Sequence, residues 1–324
     1  MRVSIITPTF NRSKLLNETI TSVLSQKFDN ASVEYLVVDN NSTDDTKLII
    51  EKKIKTSTLI KLKYLYEKKQ GINSARNLGV QKSNGEYIIF FDDDVFLAEG
   101  CLQEYINAFH NNENASVFGG SVELKPPEFD LPSWFAVSGK FVRSMIVISL
   151  YCGQKNYLKS LSKDLIPLGA NMAFNRNVFT QNGLFSTDLG LKGEKLMPGS
   201  EYEFCQRIST NGIDDWLYLG KAKVYHPIKK EQVRKNYFRK RLFGVGRVTY
   251  KLHPFKSKKT VLGLPLYMLE FILSNILKSI KYKIQSKEIE SFYYQTEALI
   301  YCGCVYEHFN KFFKEKRGAF ERKL

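Results

Sequence analysis

Short apolar runs alternate with amphipathic stretches through the first 120 residues. VSIIT at 3–7 is β-branched and apolar; EYLVVD at 34–39, LIKLKYLY at 59–66 and EYIIFFDDD at 86–94 repeat that character. Between them, SKLLNETITSVLSQ at 13–26 puts Leu16, Ile20, Val23 and Leu24 on one helical face. INSARNLGVQKS at 72–83 does the same with Ala75, Leu78, Gly79 and Lys82 on adjacent turns. Ser42 or Asp44 stands where a helix running to the mid-fifties needs its N-cap. The strand starts recur about every thirty residues, the length of a βαβ unit.

Strands that are apolar without alternating belong to a parallel sheet covered on both faces. The expected fold is therefore α/β, an open, mainly parallel sheet with helices on both sides. Ligands on such sheets bind beyond the carboxyl ends of the strands. That rule selects Thr7-Pro8-Thr9, Asp39-Asn40-Asn41, the segment 67–71 and Asp92-Asp93-Asp94. Residues 124–165 break the rhythm with three prolines, Trp134 and the apolar stretch VRSMIVISLYCG, and read as an excursion over the sheet. The pattern resumes with LIPLGANMAFNRNVF at 165–179, a helix near 200–211, and short strands at WLYLG and AKVYHP. From 229 onward the chain reads as helical and basic.

Composition narrows the class. At 324 residues, 43% hydrophobic and 25% charged, the chain is a globular protein of one large or two modest domains, not a disordered tail, a collagen-like rod or a polytopic membrane protein. Five cysteines, at 101, 152, 205, 302 and 304, are too scattered for a disulfide framework. Cys302-Gly303-Cys304 is too tight for half of a zinc site. MRVSIITPTFNR lacks a signal peptide's apolar stretch, so the expected compartment is the cytoplasm. Charge divides the chain. Residues 1–228 hold 26 Lys+Arg against 25 Asp+Glu, whereas residues 229–324 hold 22 against 8. A nearly neutral body at 1–228 thus precedes a basic region at 229–324 suited to an anionic surface.

No G-x-G-x-x-G follows the first strand and no G-x-x-x-x-G-K-[ST] occurs, which disfavours a dinucleotide oxidoreductase and a P-loop phosphotransferase. Gly244-Val245-Gly246 reads as a turn. The acidic cluster remains. Three adjacent aspartates at a strand end repel one another, and a divalent cation relieves that repulsion. Alternation along an extended chain lets Asp92 and Asp94 share one side. Carboxylate oxygens suit Mg²⁺ or Mn²⁺, ions that commonly bridge a protein carboxylate to a diphosphate.

ITPTFNR, VVDNNSTDDT, GINSARNLGV, YIIFFDDDV, LGANMAF and GSEYEFCQRI occur in this order between residue 3 and about 226. Together they resemble glycosyltransferase family 2, enzymes of the GT-A (Rossmann-like) fold. The resemblance implies inverting transfer of a sugar from a nucleotide diphosphate donor, usually UDP-linked, with Mn²⁺ or Mg²⁺. It implies that Thr7, Pro8 and Thr9 line the nucleobase pocket with Asn11 and Arg12 beside it, and that Asp39 reads the base. Arg76 and Asn77 lie near base and diphosphate. Asp92, Asp93 and Asp94 match the D-x-D element, with Asp94 on the metal and Asp93 on the ribose. His226 is a further candidate metal ligand. Gly169, Ala170 and Asn171 form the edge of the acceptor site, and Trp134 either stacks on an acceptor sugar or packs on the body.

Inverting transfer needs a base for the acceptor hydroxyl. The family often carries G-E-D-x-E-F at a helix start, where this chain has Gly199-Ser200-Glu201-Tyr202-Glu203-Phe204. Ser200 replaces the first acid, and Glu201 aligns with the second and is the expected base. Glu203, two residues on, faces away and is expected to be structural.

GLPLYMLEFILSNILKSIKYKI places Leu266, Leu269, Leu273, Ile276, Ile280 and Ile284 along one side. Its apolar stretch is shorter than the ~20 residues that span a bilayer. Two readings stand: a Lys-rich amphipathic helix in a membrane interface, peripheral on the inner face of the cell membrane, or a helix packed on the body with its lysines in solvent. The expected partners are a nucleotide sugar, a saccharide or lipid-linked saccharide acceptor, and, under the first reading, an anionic membrane surface; nucleic acid is not expected. Two rivals remain. A sugar nucleotidyltransferase shares the donor-domain logic, but its glycine-rich, Arg-containing first loop is absent here. A non-catalytic protein gripping nucleic acid through the basic tail leaves the acidic cluster unexplained.

Overall fold

β-Branched and aromatic runs supply the strands, as their pattern requires. The computed structural model describes residues 1–324 except 58, 133, 136–149, 162–165, 193–194, 256, 258 and 322–324, with side chains also omitted at 192, 195–196 and 314–321. The chain forms two compact units, residues 1–127, 148–193 and 200–228, and residues 128–147, 194–199 and 229–324.

The first unit contains β1 (Arg2–Thr9), α1 (Ser13–Leu24), β2 (Ser32–Asp39), α2 (Thr46–Thr56), β3 (Lys61–Tyr66), α3 (Ile72–Lys82), β4 (Tyr87–Phe91), β5 (Phe96–Leu97) and α4 (Cys101–Asn111). It continues with β6 (Val117–Lys125), β7 (Tyr157–Ser160), β8 (Asn171–Asn175), α5 (Asn177–Asn182), β9 (Gly190–Lys192), α6 (Ser200–Thr210) and β11 (Asp215–Pro227). β10 (Lys195–Met197) belongs to the second unit.

The main sheet runs β3-β2-β1-β4-β8-β6-β11-β5, with β7 on β11. β3, β2, β1 and β4 are parallel neighbours, β8 runs antiparallel between β4 and β6, and β6 and β11 are again parallel. This is the expected open, mainly parallel α/β sheet. Ile5, Ile6, Leu36, Val37, Ile88 and Phe90 are fully buried along its centre, so register is fixed by apolar burial. Thr9 pairs with Asp39 and Ile6 with Phe90. The same step beyond β4 reaches Asp93, so all three strand ends deliver their polar residues to one edge.

Several boundaries differ from the sequence reading. The strand expected from 59 begins at Lys61, and α1 stops at Leu24, where Ser25 caps through its backbone N–H. The two strands expected at 216–220 and 222–227 are one strand, β11, with a register shift between Leu219 and Lys223. The N-cap of α2 is Asp45, which makes no side-chain cap bond; Asp44 instead accepts from the Thr46 N–H at 3.1 Å. The apolar stretch beginning at 142 lies outside the described residues as far as 149.

Asn171 supports the irregular strand. Its Nδ2 donates to the carbonyls of Ser121 (2.9 Å) and Ala222 (2.8 Å), and its Oδ1 accepts from the Tyr105 hydroxyl at 2.8 Å. Ala222 lies within the register shift between Leu219 and Lys223. Asn171→Ala should therefore strand three buried polar groups and cost about 3 kcal/mol or more, read as a lower midpoint in denaturant unfolding. An unchanged midpoint would show that water replaces the amide.

The second unit contains α7 (Lys235–Leu252), β12 (Thr260–Val261), β13 (Leu264–Pro265), α8 (Leu266–Ile284) and α9 (Glu288–Glu321). Gly244-Val245-Gly246 is not a turn. It lies inside α7, where a Cβ on Gly246 would collide with the Ile300 carbonyl of α9, and one on Gly303 with that of Phe243. The glycines let two helix backbones touch. Trp134 packs edge-to-face in this unit against Phe135, Phe238 and Phe292. Among the described residues no helix is long and apolar enough to cross a membrane.

Candidate active site

β4 is five buried residues, Tyr87–Phe91, and the chain leaves the sheet at Asp92. Alternation then sorts the three carboxylates. Asp93 turns toward β1, where its Oδ2 accepts from Thr9 Oγ1 and its Oδ1 from Arg12 Nη1, both at 2.8 Å. Arg12 Nη1 also reaches Asp94 Oδ2 at 3.3 Å. Asp93 above all keeps the Arg12 guanidinium charged, against the cost of its burial.

Asp92 and Asp94 share the other side with His226. One ligand atom from each lies within 4.8 Å of the other two. His226 Nε2 is 3.3 Å from Asp94 Oδ1, and its Nδ1 is 3.0 Å from the Pro227 carbonyl. With Nδ1 donating to that carbonyl, Nε2 would be the nitrogen offered to a cation, the arrangement that metal-binding histidines use. Two hard carboxylate oxygens and one imidazole nitrogen fit a divalent cation such as Mn²⁺. Burial, with the neighbouring Asp94 and Glu201 charges, pushes the Asp92 carboxyl above its ordinary range against the pull of Arg76.

Arg76 joins this cluster to the expected base. Buried within α3, it donates from Nη1 to Glu201 Oε1 at 2.9 Å and from Nη2 to Asp92 Oδ1 at 3.4 Å. Glu201 stands in the first turn of α6, where the helix dipole favours a negative charge. Ser200, the residue in place of the family's first acid, donates its hydroxyl to Glu201 Oε2 at 2.9 Å. Gly169 closes over the pair: a Cβ there would overlap both Arg76 Nη2 and Glu201 Oε1. Burial opposes the Glu201 charge, but Arg76, its own backbone N–H and Ser200 outweigh it, so the carboxyl lies below its ordinary range.

That direction sets a pH expectation. A lowered value keeps Glu201 ionised to lower pH, so with metal in excess kcat/KM should stay flat from neutrality down to about pH 5 and fall only below the ordinary carboxylate range near ~4.3. An acid limb centred near neutrality would assign the base to another group.

The nucleobase-side residues form a laced pair of loops. Asn11, with φ +51°, donates its N–H to Ser42 Oγ at 3.0 Å and accepts from the Thr43 N–H at 2.7 Å. Asp39 is buried; its Oδ1 accepts from the Ser42 N–H (2.9 Å) and its Oδ2 from the Tyr64 hydroxyl (3.0 Å). Thr7 and Pro8 are buried in β1, and Thr7 Oγ1 accepts from the Tyr35 hydroxyl at 3.0 Å. Asn77 clips both backbone polar groups of Phe185, at 2.9 and 3.0 Å. Asn40, which the sequence places only within a strand-end segment, fixes the loop before α3 by donating to Glu67 and Lys69 carbonyls and accepting from the Gly71 N–H.

The edge therefore gathers Thr9, Arg12, Asp92, Asp93, Asp94, Arg76, Glu201, His226 and Gly169. Ala170 and Asn171 lie fully buried behind it. Trp134 belongs to the other unit's aromatic cluster. Glu203 pairs with Arg207 at 2.7 Å.

The sequence profile of glycosyl transferase family 2 matches residues 4–181, more than half of the chain. The chain belongs to that family. A glucosyl-dolichyl phosphate glucuronosyltransferase of Haloferax volcanii is 23% identical over 281 residues, covering 85% of this chain and 86% of its own. Among solved structures, a mannosyltransferase from Pyrobaculum calidifontis in complex with GDP-Man and Mn²⁺ aligns over 95% of this chain and 87% of its own, with TM-score 0.61 at 16% identity. S. aureus TarS 1-349 with UDP-GlcNAc aligns over 92% of this chain and 90% of its own, with TM-score 0.52 at 18% identity. These likenesses give the glycosyltransferase its GT-A fold.

Proposed function

We propose that this family 2 enzyme is a metal-dependent, inverting glycosyltransferase that moves a sugar from a UDP-linked donor to a saccharide or lipid-linked saccharide acceptor in surface glycan synthesis. The observation that carries the reading is Arg76, which ties Glu201 to Asp92 and so sets a base beside a cation site. In this reading residues 1–228 are the catalytic domain and 229–324 an accessory basic region.

The acceptor hydroxyl gives its proton to Glu201 as its oxygen bonds to the anomeric carbon. The bond from that carbon to the diphosphate breaks on the opposite side, so configuration inverts and UDP leaves with its charge. Asp92, Asp94 and His226 would hold the divalent cation, which when bound supplies positive charge beside that diphosphate. Arg76 holds Glu201 in place and ionised, and Ser200 fixes its second oxygen. Thr9 and Arg12 orient Asp93 toward the ribose. Asp39 and the Asn11–Thr43 loop pair line the base side.

The choice of UDP rests on the family resemblance and on the UDP-GlcNAc held by TarS; the mannosyltransferase's GDP-Man is the competing donor class. The glucuronosyltransferase relative, whose name carries a dolichyl phosphate acceptor, supports a lipid-linked acceptor. A peripheral position on the inner face of a cell membrane belongs to the same reading.

A thermal-shift panel of nucleotide sugars with and without Mn²⁺ tests it. The largest stabilisation should come from one UDP-sugar with Mn²⁺, about 2.7 kcal/mol at a hundredfold excess over Kd. No shift with any nucleotide, or an equal shift with metal removed, would contradict it. Release of pyrophosphate rather than UDP on turnover would favour the nucleotidyltransferase.

A further inference from the structure

The helical unit turns an apolar stripe toward solvent. Along α8, Leu266, Leu273, Leu277, Ile280 and Ile284 recur at helical spacing and all are exposed, Leu273 by 59% and Ile284 by 79%. The opposite side does the packing. Met268 and Asn275 are buried, Phe271 lies 4.3 Å from the Tyr301 ring, and Ser279 bonds Ser291 of α9. The stripe is therefore surplus to the contact with α9.

The hairpin that precedes α8 adds a second observation. Strands β12 and β13 are joined by the two residues Leu262 and Gly263, with φ +52° and +78°. Positive φ at both places is what a two-residue type I′ turn requires, and asparagine is the relaxed choice for the first. A leucine there is strained. Its side chain is nonetheless 76% exposed, beside Val261 at 47%, and His308 Nε2 holds its carbonyl at 3.0 Å. Strain that presents an apolar side chain to water gains nothing in the isolated chain.

Charge says what covers the surface. By helical angle Lys281 borders the stripe on one side and Lys283 on the other, with Lys278 beyond; Glu270, the one acid on the helix, lies at the stripe's edge between Leu277 and Lys281. Three lysines against one acid leave this face net positive, so two copies meeting through it would repel on balance. An anionic surface would meet complementary charge at the border and an apolar phase at the centre.

We propose that α8 and the Leu262 turn form a docking surface for an anionic lipid bilayer, with Leu262 and Val261 entering the interface ahead of the helix. The proposal rests on the peripheral position proposed above but not on the transfer chemistry; its test needs neither donor nor acceptor, so the membrane reading and the glycosyl-transfer reading can fail separately.

The full chain is pelleted with vesicles of phosphatidylcholine alone or mixed with phosphatidylglycerol. The chain should co-sediment with the mixed vesicles and far less with phosphatidylcholine alone. Leu277→Glu with Ile280→Glu, both at exposed positions, should reduce co-sedimentation at least about tenfold. Leu262→Asn should weaken it while Tm holds or rises, because the turn is relieved. A chain that stays in the supernatant, or a double variant that pellets like the parent, overturns the proposal. So does a dimer in light scattering that the double variant dissolves without any vesicle binding, since the occupant is then a second copy. A lower Tm for Leu262→Asn with unchanged pelleting removes the turn from the surface.

Discussion

Glu201→Gln should lower transfer about a thousandfold while donor binding persists. Glutamine keeps the shape and can still meet Ser200 and Arg76, but it cannot take the acceptor proton. Donor affinity rests on other groups, so calorimetric binding of the UDP-sugar should change little while UDP release with acceptor nearly stops. If Glu201 only complemented the dipole of α6, its loss would cost a few tenths of a kcal/mol in stability and leave turnover near normal. The neighbouring acid Glu203 is held by Arg207 and is poorly placed to substitute. Near-normal turnover would therefore move the base to a residue outside this helix.

The second large effect is at the cation site. Asp94→Asn should abolish the metal-dependent part of nucleotide binding. Loss of an outer-shell partner alone costs metal affinity ten- to a hundredfold, so loss of a direct ligand should cost at least about a hundredfold. Asp93 remains engaged with Thr9 and Arg12 in this variant, so the fold at the strand end should survive. UDP titrations with Mn²⁺ read the effect. An affinity equal to the parent's would reject Asp94 as a ligand.

Much of this site could be read along the chain because it is local. Asp92, Asp93 and Asp94 follow a buried strand, and alternation alone separates the middle carboxylate from its neighbours. The same locality made β1 to β4 legible, since each is a compact β-branched or aromatic run. What escaped was long-range or irregular. Arg76 meets Glu201 across 125 positions, and no periodicity announces that pairing. Ser200 looked like a departure from a motif, yet it steadies the residue that follows it. The family resemblance puts Asn77 near the base and diphosphate, and Asn40 stands only in a strand-end segment selected for ligands; each also clamps a backbone segment. α4 and β6 were not named as elements; the paired glycines of VFGGSVELK hide a central strand behind turn-like composition. Gly244-Val245-Gly246 erred the same way, because a glycine needed for close helix contact has the same letter as one needed for a turn.

The most direct test of the account follows UDP release by the wild-type enzyme through one cycle of chelation and metal return. Transfer should stop in EDTA and recover when Mn²⁺ is restored in excess, because Asp92, Asp94 and His226 would then hold the cation and supply positive charge to the diphosphate. Undiminished release of UDP throughout the EDTA phase would contradict the central claim.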